Sequence, residues 1–298
     1  IYAYNLFDDS IQLVSSNVNG TVGAVSSGDA SVSGDGRFVV FTSYASNLVP
    51  GDTNGDYDIF VHDLLSGGTE RVDVSSSGQE ASGSVWDFAA HISGDGNYVA
   101  FMQGATNLVS GDTNGYADIF VRDRVNQITE RVSVGPGGLQ ANGGSGWPRI
   151  SVDGRFVVFF SGALNLIPGL TQGGPHVVVH DRQTGANELV NVSSSGVVAN
   201  GMVGDLSLSG SSDSRFILFT HTASNLVPEG TNGFVHLFLR DRLGGTDFTS
   251  LCEPGIAGVI PCPCANPSGG FGQGCDTSSS TGGALLTASG GTFLSSDS

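Results

Sequence analysis

At 298 residues the chain is long enough for one large β domain or two ordinary ones with a sizeable core. Its 46 glycines and 10 prolines, with only 13% charged residues, suit many short strands joined by tight turns and exclude a helical bundle or coiled coil. Acidic residues outnumber basic ones 28 to 11, for a net charge of −17, and every basic residue is arginine. That field repels nucleic-acid backbones and anionic headgroups, so neither nucleic acid nor a membrane surface is an expected partner. The lack of lysine also removes Schiff-base and P-loop chemistry.

The opening segment, residues 1–27, reads as half of a repeat. Ile1 to Asn5 matches Ile59 to Asp63, and Val14-Ser-Ser16 matches Val74-Ser-Ser76, so the sequence opens with the last two strands of a unit whose first two are not in it. The inner edge of such a half-unit leaves backbone groups that call for a pairing strand, from residues upstream of Ile1, from the C-terminal tail strands or from a second copy of the chain. Intrachain pairing completes a ring of five blades, whereas pairing between copies runs on into a filament. Asn19, in Asn19-Gly-Thr21, is a candidate glycosylation site, as is Asn191 in Asn191-Val-Ser193.

Four stretches then restate one another. Their turn carboxylates, Asp35, Asp95, Asp153 and Asp213, are separated by 60, 58 and 60 residues. A period this regular marks a repeat architecture, with units at about 28–87, 88–145, 146–204 and 205–250. Each unit predicts four strands: in the first, Ala30 to Ser33, Arg37 to Ser43, Asp58 to Asp63 and Glu70 to Ser76. Asp-Gly, Asn-Gly and Gly-Gly steps supply the hairpin turns. The second and third strands are almost continuously apolar (FVVF, DIFV and their copies), which predicts burial on both faces. Small four-stranded sheets, each packed between two others, describe a β-propeller.

The Ser-x-Asp-Gly-(Arg/Asn)-aromatic turn, followed by an apolar strand and a second strand ending in Asp, resembles the TolB-type (WD40-like) propeller repeat over roughly residues 1–250. The resemblance implies an all-β propeller and leaves the activity open, because the family includes binding scaffolds and non-catalytic propellers of peptidases. In the fourth copy Ser214 replaces the turn glycine, which predicts a different turn there. Asn47, Asn107, Asn165 and Asn225 recur in the long loop before the third strand and are expected to staple that loop to its own backbone. Asp63, Asp123, Asp181 and Asp241 are expected to open the next turn. His62 and His180 share a repeat position with Arg122 and Arg240, which points to a structural role.

Two constellations carry candidate chemistry. Asp52-Thr-Asn54-Gly-Asp56-Tyr-Asp58, with a weaker copy in Asp112, Asn114 and Asp118, places oxygen ligands at alternate positions of a tight loop, as calcium loops do, although Gly and the following strand do not fit an EF-hand. The competing reading is an Asx turn with an Asn-Gly corner. The innermost strands are expected to turn Ser31, His91, Arg149 and Ser207 toward the propeller axis, with Trp86, Asp87 and Trp147 just before them. Trp beside Arg, Asp and His suits stacking and hydrogen bonding to a glycan or short peptide, unless the two Trp merely fill gaps between blades.

The tail, 251–298, is a separate Cys/Gly/Ser-rich segment. Cys252, Cys262, Cys264 and Cys275 lack zinc-ribbon spacing and are expected to form two disulfides, with Cys252 bonded to Cys262 or Cys264 and Cys275 to the other. The segment resembles cysteine-containing stretches that follow repeats in large secreted bacterial proteins. Disulfides and the lack of any apolar run of membrane-spanning length point to a secreted, extracellular chain. The sequence therefore predicts a non-enzymatic structural or adhesive module whose partners are copies of itself, other surface proteins or glycans. The alternatives are a glycan hydrolase or lyase working in the axial pocket, and a TolB-like protein-binding scaffold.

Overall fold

The computed structural model describes residues 1–83, 89–227, 234–243 and 249–250, with backbone only at 204–207 and 249–250. In chain order its strands are β1 (Tyr2–Tyr4), β2 (Ile11–Leu13), β3 (Ser27–Val32), β4 (Phe38–Ser43), β5 (Asp58–Asp63), β6 (Thr69–Arg71), β7 (Ala90–Ile92), β8 (Tyr98–Gln103), β9 (Asp118–Asp123) and β10 (Ile128–Arg131). They continue with β11 (Val134–Gly135), β12 (Leu139–Gln140), β13 (Ser145–Ile150), β14 (Phe156–Ser161), β15 (His176–Asp181), β16 (Ala186–Leu189), β17 (Val203–Gly210), β18 (Phe216–His221), β19 (His236–Asp241) and β20 (Thr249–Ser250). Strands β3–β6, β7–β10, β13–β16 and β17–β20 form four-stranded antiparallel sheets in chain order, and β1 pairs with β2 as the half-unit read from the sequence.

The repeated turn explains each first hairpin. Ser33 Oγ donates to Asp35, Asp35 Oδ1 accepts the Arg37 N–H at 3.0 Å, and Gly36 takes φ 73°. The same bonds recur at Asp95, Asp153 and Asp213. The different turn expected at Ser214 does not form. Ser214 adopts φ 53° and donates its N–H to Ser211 O at 2.7 Å, the geometry of its glycine counterparts. A side chain is here forced into the left-handed region because the surrounding bonds define the turn.

The fourth strand is shorter than predicted, ending at Arg71 instead of Ser76. The reason is a side chain: the Ile59 N–H that a longer ladder would use donates to Asp73 Oδ1 at 3.1 Å. Ser133 Oγ and Asn191 Oδ1 do the same for Ile119 and Val177.

The core lies between sheets. One cluster joins Val40, Ile59 and Val61 to Ile92, Val99 and Phe101 of the next sheet, and comparable clusters fill the following two interfaces. Phe41 stacks on Phe60, Phe101 on Phe120 and Phe219 on Phe238, each pair with ring centroids 5.7 Å apart. All six rings are fully buried, worth about 1.5–3 kcal/mol apiece in removed apolar surface.

Polar ties repeat with the same period. Arg124, Arg182 and Arg242 reach back to Glu70, Glu130 and Glu188 of the preceding sheet at 2.6, 2.6 and 2.8 Å. Each also lies over an aromatic ring there, Phe38, Tyr98 or Phe156. Near the first turns, Gly94 donates to Val152 O and Val152 to Ser212 O, both at 2.9 Å, and Asp35 donates to Gly94 O. These bonds link four successive sheets.

Candidate functional site

The innermost strands β3, β7 and β13 lie side by side and enclose a cavity of about 310 Å³ lined by Asp29, Ala30, Ser31, Ala89, Ala90, His91, Trp147 and Arg149. Ser31, His91, Trp147 and Arg149 therefore line one cavity. Trp86 and Asp87 lie outside the described residues, as do the four cysteines, and the Ser207 side chain is not described. A β-bulge shapes the site. The β13–β14 register shifts between Gly146 and Arg149, and Trp147 sits in the bulge at φ 51°; β3 bulges equally, with Asp29 at φ 47°. A bulge re-aims the side chain it carries, and a bulky residue in the left-handed region costs of order 1–3 kcal/mol unless its surroundings hold it there. Trp147 is held by an edge-on contact with Phe160, centroids 6.3 Å apart, so it serves both as packing and as pocket wall.

The electrostatics of the cavity are set by burial. His91 Nδ1 accepts the Ile150 N–H at 3.3 Å, which leaves the ring proton on Nε2. Burial, helped by the Arg149 charge, pushes the His91 pKa down to about 4, so the ring is neutral at physiological pH. Burial also lowers Arg149. Its one hydrogen bond is from Nη1 to Pro148 O at 2.9 Å, and no carboxylate among the described residues ion-pairs with it.

The expected calcium loops are organised around arginine. Arg71 Nη1 lies 2.9 Å from Glu80, 3.4 Å from Asp52 and 3.6 Å from Asp58. Asn54 turns Nδ2 toward Asp58 Oδ1 at 2.9 Å, while its Oδ1 accepts the Asp56 N–H at 3.0 Å. A guanidinium therefore sits among these carboxylates, and among the described residues no three His, Cys, Asp or Glu side chains are arranged to share a metal. Burial and then the neighbouring Asp73 charge push Asp58 up to about 8, and burial pushes Asp73 up to about 6. Hydrogen bonds from Thr53 bring the half-buried Glu80 down to about 2. In the second copy Arg131 lies 3.0 Å from Asp112 and 3.3 Å from Asp118, while Asn114 donates to Asp118 at 3.1 Å.

Arg71, Asp73 and Glu80 were not singled out from the sequence, yet a signal was there. Arginine recurs as Arg131 in the repeat that keeps both carboxylates and becomes Leu189 where Asp52 and Asp58 become Leu170 and His176. Charge and counter-charge disappear together.

Other predicted residues prove structural. Asn47, Asn107, Asn165 and Asn225 do staple loops, but to the segment arriving from the preceding sheet: their Nδ2 groups donate to Val22, Glu80, Gln140 and Val198 carbonyls at 2.8–2.9 Å. His62 and His180 bond across to Thr69 and Asn187, as Arg122 does to Thr129. Of the two sequons, Asn19 is exposed, whereas Asn191 is 1% exposed with its Oδ1 occupied by Val177. The folded chain therefore closes Asn191 to glycan attachment.

No family model matches this sequence, and no curated protein matches it significantly. Solved structures do. The chain is similar to a putative TolB from Agrobacterium tumefaciens, with 17% identity and a TM-score of 0.50 over 84% of this chain and 72% of that one. The fold is a TolB-type β-propeller. TolB from Acinetobacter baumannii also matches, at 16% identity and TM-score 0.44 over 85% of this chain, which spans about half (49%) of that protein. So does the β-propeller domain of the Trilobed protease from Pyrococcus furiosus, at 12% identity and TM-score 0.42, over 76% of this chain and 57% of that one. Likeness at this identity concerns the fold alone, and function in a TolB-type propeller has to be argued from its pockets.

Proposed function

We propose that this TolB-type propeller is a non-enzymatic binding scaffold, a module of an extracellular surface protein or assembly that captures a protein partner at its axial pocket. The supporting observation is the set of groups lining that pocket: an aromatic wall at Trp147, a cation at Arg149, a neutral imidazole at His91 and one carboxylate, Asp29. These are recognition groups. His91 spends Nδ1 on the Ile150 N–H, and the carboxylates that do converge, at Asp52 and Asp58, are buried against Arg71 away from the axis. Acid–base cleavage of a glycan asks for two carboxyl groups facing one bond, and Asp29 is the single carboxylate on the cavity wall among the described residues.

The test has two arms. Incubation with a panel of polysaccharides is expected to release no new reducing ends, and cross-linking in the native surface fraction is expected to join the chain to a defined partner, with loss of that product in Trp147→Ala. Turnover of any glycan overturns the reading in favour of an enzyme.

A further inference from the structure

Arg149 differs from the other arginines described above. Arg37, Arg155 and Arg215 grip Asp63, Asp181 and Asp241 with two bonds each. Arg124, Arg182 and Arg242 tie successive sheets, and Arg71 and Arg131 neutralise carboxylate clusters. Arg122, which has no ion pair among the described residues, donates to Ser75 O, Thr129 Oγ1 and Gln127 Oε1. Arg149 is half-buried with one bond, to the carbonyl of its own neighbour Pro148. A cation withdrawn from water with no ion-paired carboxylate among the described residues opposes folding, so its retention in the wall of a cavity points to an anion that arrives from outside.

The cavity narrows the chemistry of that anion. The guanidinium fork matches the two oxygens of a carboxylate. His91 Nε2–H is a second donor on the same wall, because Nδ1 is already an acceptor. Asp29, across the cavity in the equivalent bulge, opposes a doubly charged group such as phosphate and tolerates a single negative charge on a ligand with amide donors. Trp147 offers an apolar wall beside the cation, and about 310 Å³ accommodates one or two residues of an extended chain.

We propose that the axial pocket binds a carboxylate of an extended peptide segment of the partner, held on Arg149 with His91 as second donor and Trp147 as the adjoining wall. The proposal rests on the scaffold reading above and gives that site its ligand chemistry. The carboxylate comes either from a chain terminus or from an acidic side chain.

Three peptides separate these sources: acetyl-Phe-Gly with a free C-terminus, the same peptide as its C-terminal amide, and acetyl-Phe-Glu-amide. Binding is followed by ligand-observed NMR and calorimetry on the full chain. At least one acid is expected to bind about tenfold or more tightly than the neutral amide. Arg149→Gln is expected to erase that preference, and Arg149→Lys to keep only part of it, since a point charge lacks the fork. Preference for the free terminus or for Glu names the source. Melting curves complete the test. Arg149→Gln and Arg149→Met are expected to melt at or above the wild-type temperature, because each removes an uncompensated cation.

Equal binding of all three peptides, no binding of either acid at millimolar concentration, or an acid preference that survives Arg149→Gln each overturns the proposal. So does a fall of several degrees in melting temperature for both Arg149→Gln and Arg149→Met, which would make the guanidinium a structural group. Failure of the scaffold reading looks different: glycan turnover with the acid preference intact.

Discussion

Replacing Ser214 by glycine should stabilise the protein. Ser214 holds φ 53° where Gly36, Gly96 and Gly154 hold 72–73°, and a non-glycine residue in that region pays roughly 1–2 kcal/mol. Glycine returns about 0.4–1 kcal/mol of this through the greater freedom of the unfolded chain. The net gain is about 0.5–1 kcal/mol, or about 1–4 °C in melting temperature for a domain of this size. The turn itself is kept, since Ser214 contributes its N–H to Ser211 O and its carbonyl to Arg242, both backbone groups that glycine retains. Gly154→Ser is the mirror experiment. There the new Cβ would sit 2.2 Å from the Tyr98 ring, so the left-handed penalty is joined by overpacking and the loss should reach about 2–4 kcal/mol. Thermal melts followed by circular dichroism, with denaturant titrations for the free energies, measure both variants. A Ser214→Gly protein that melts no higher than wild type, alongside a Gly154→Ser protein that melts within half a degree of it, would refute the argument that turn geometry is imposed on residue 214 from outside.

The Arg71 cluster sets a pH dependence. Asp58 and Asp73 have folded pKa values raised to about 8 and about 6, so the folded chain holds protons that the unfolded chain loses, while His91 and His221, pushed down to about 4 by burial, act in the opposite sense between about pH 4 and 6.5; the net fall in stability is expected from about pH 6.5 to 8. Below about pH 4 Asp63 and Asp181, held well below the carboxylate range chiefly by Arg37 and Arg155, also lose their stabilising charge, so stability falls further on the acid side. A rise in melting temperature from pH 6.5 to 8 would contradict this. Arg71→Met strands buried carboxylates and should cost about 3–5 kcal/mol at neutral pH, with a smaller deficit at pH 5, readable in the same melts. Because that guanidinium holds the loop, excess chelator is expected to leave the melting curve unchanged, and a lowered curve with calcium found by metal analysis would restore the ion reading. Gly94→Ala places a Cβ 2.4 Å from Val152 Cγ1 and should cost about 1–3 kcal/mol, part of which Val152→Ala recovers; additive losses in that double-mutant cycle would show that the two residues are not in contact.

Much of the architecture is written locally in this chain. A hairpin needs an Asp-Gly corner and two short apolar runs, all within about 30 residues, so β4, β5 and their copies fall where the repeat places them. The fourth strand was misjudged because its end is decided by a competitor: Asp73 takes the Ile59 N–H with a side chain, and a propensity reading of ERVDVSS carries no information about that choice. The asparagine staples show the same limit. Their residue type and loop were legible, but their partners lie 25–27 residues upstream in a segment that only sheet-to-sheet packing brings near.

The charges divide in the same way. The chain by itself determined the four-strand repeat, its turn corners and the doubly buried second and third strands, because each follows from short-range periodicity repeated at a fixed interval. Tertiary structure alone decided which charges find partners. Arg71 and Arg149 are the same side chain, each on a strand of a repeating unit, yet one lies within 4 Å of three carboxylates and the other faces a cavity. Coulomb energy and desolvation depend on distance and on water excluded by neighbouring sheets, and neither quantity exists until the sheets have packed.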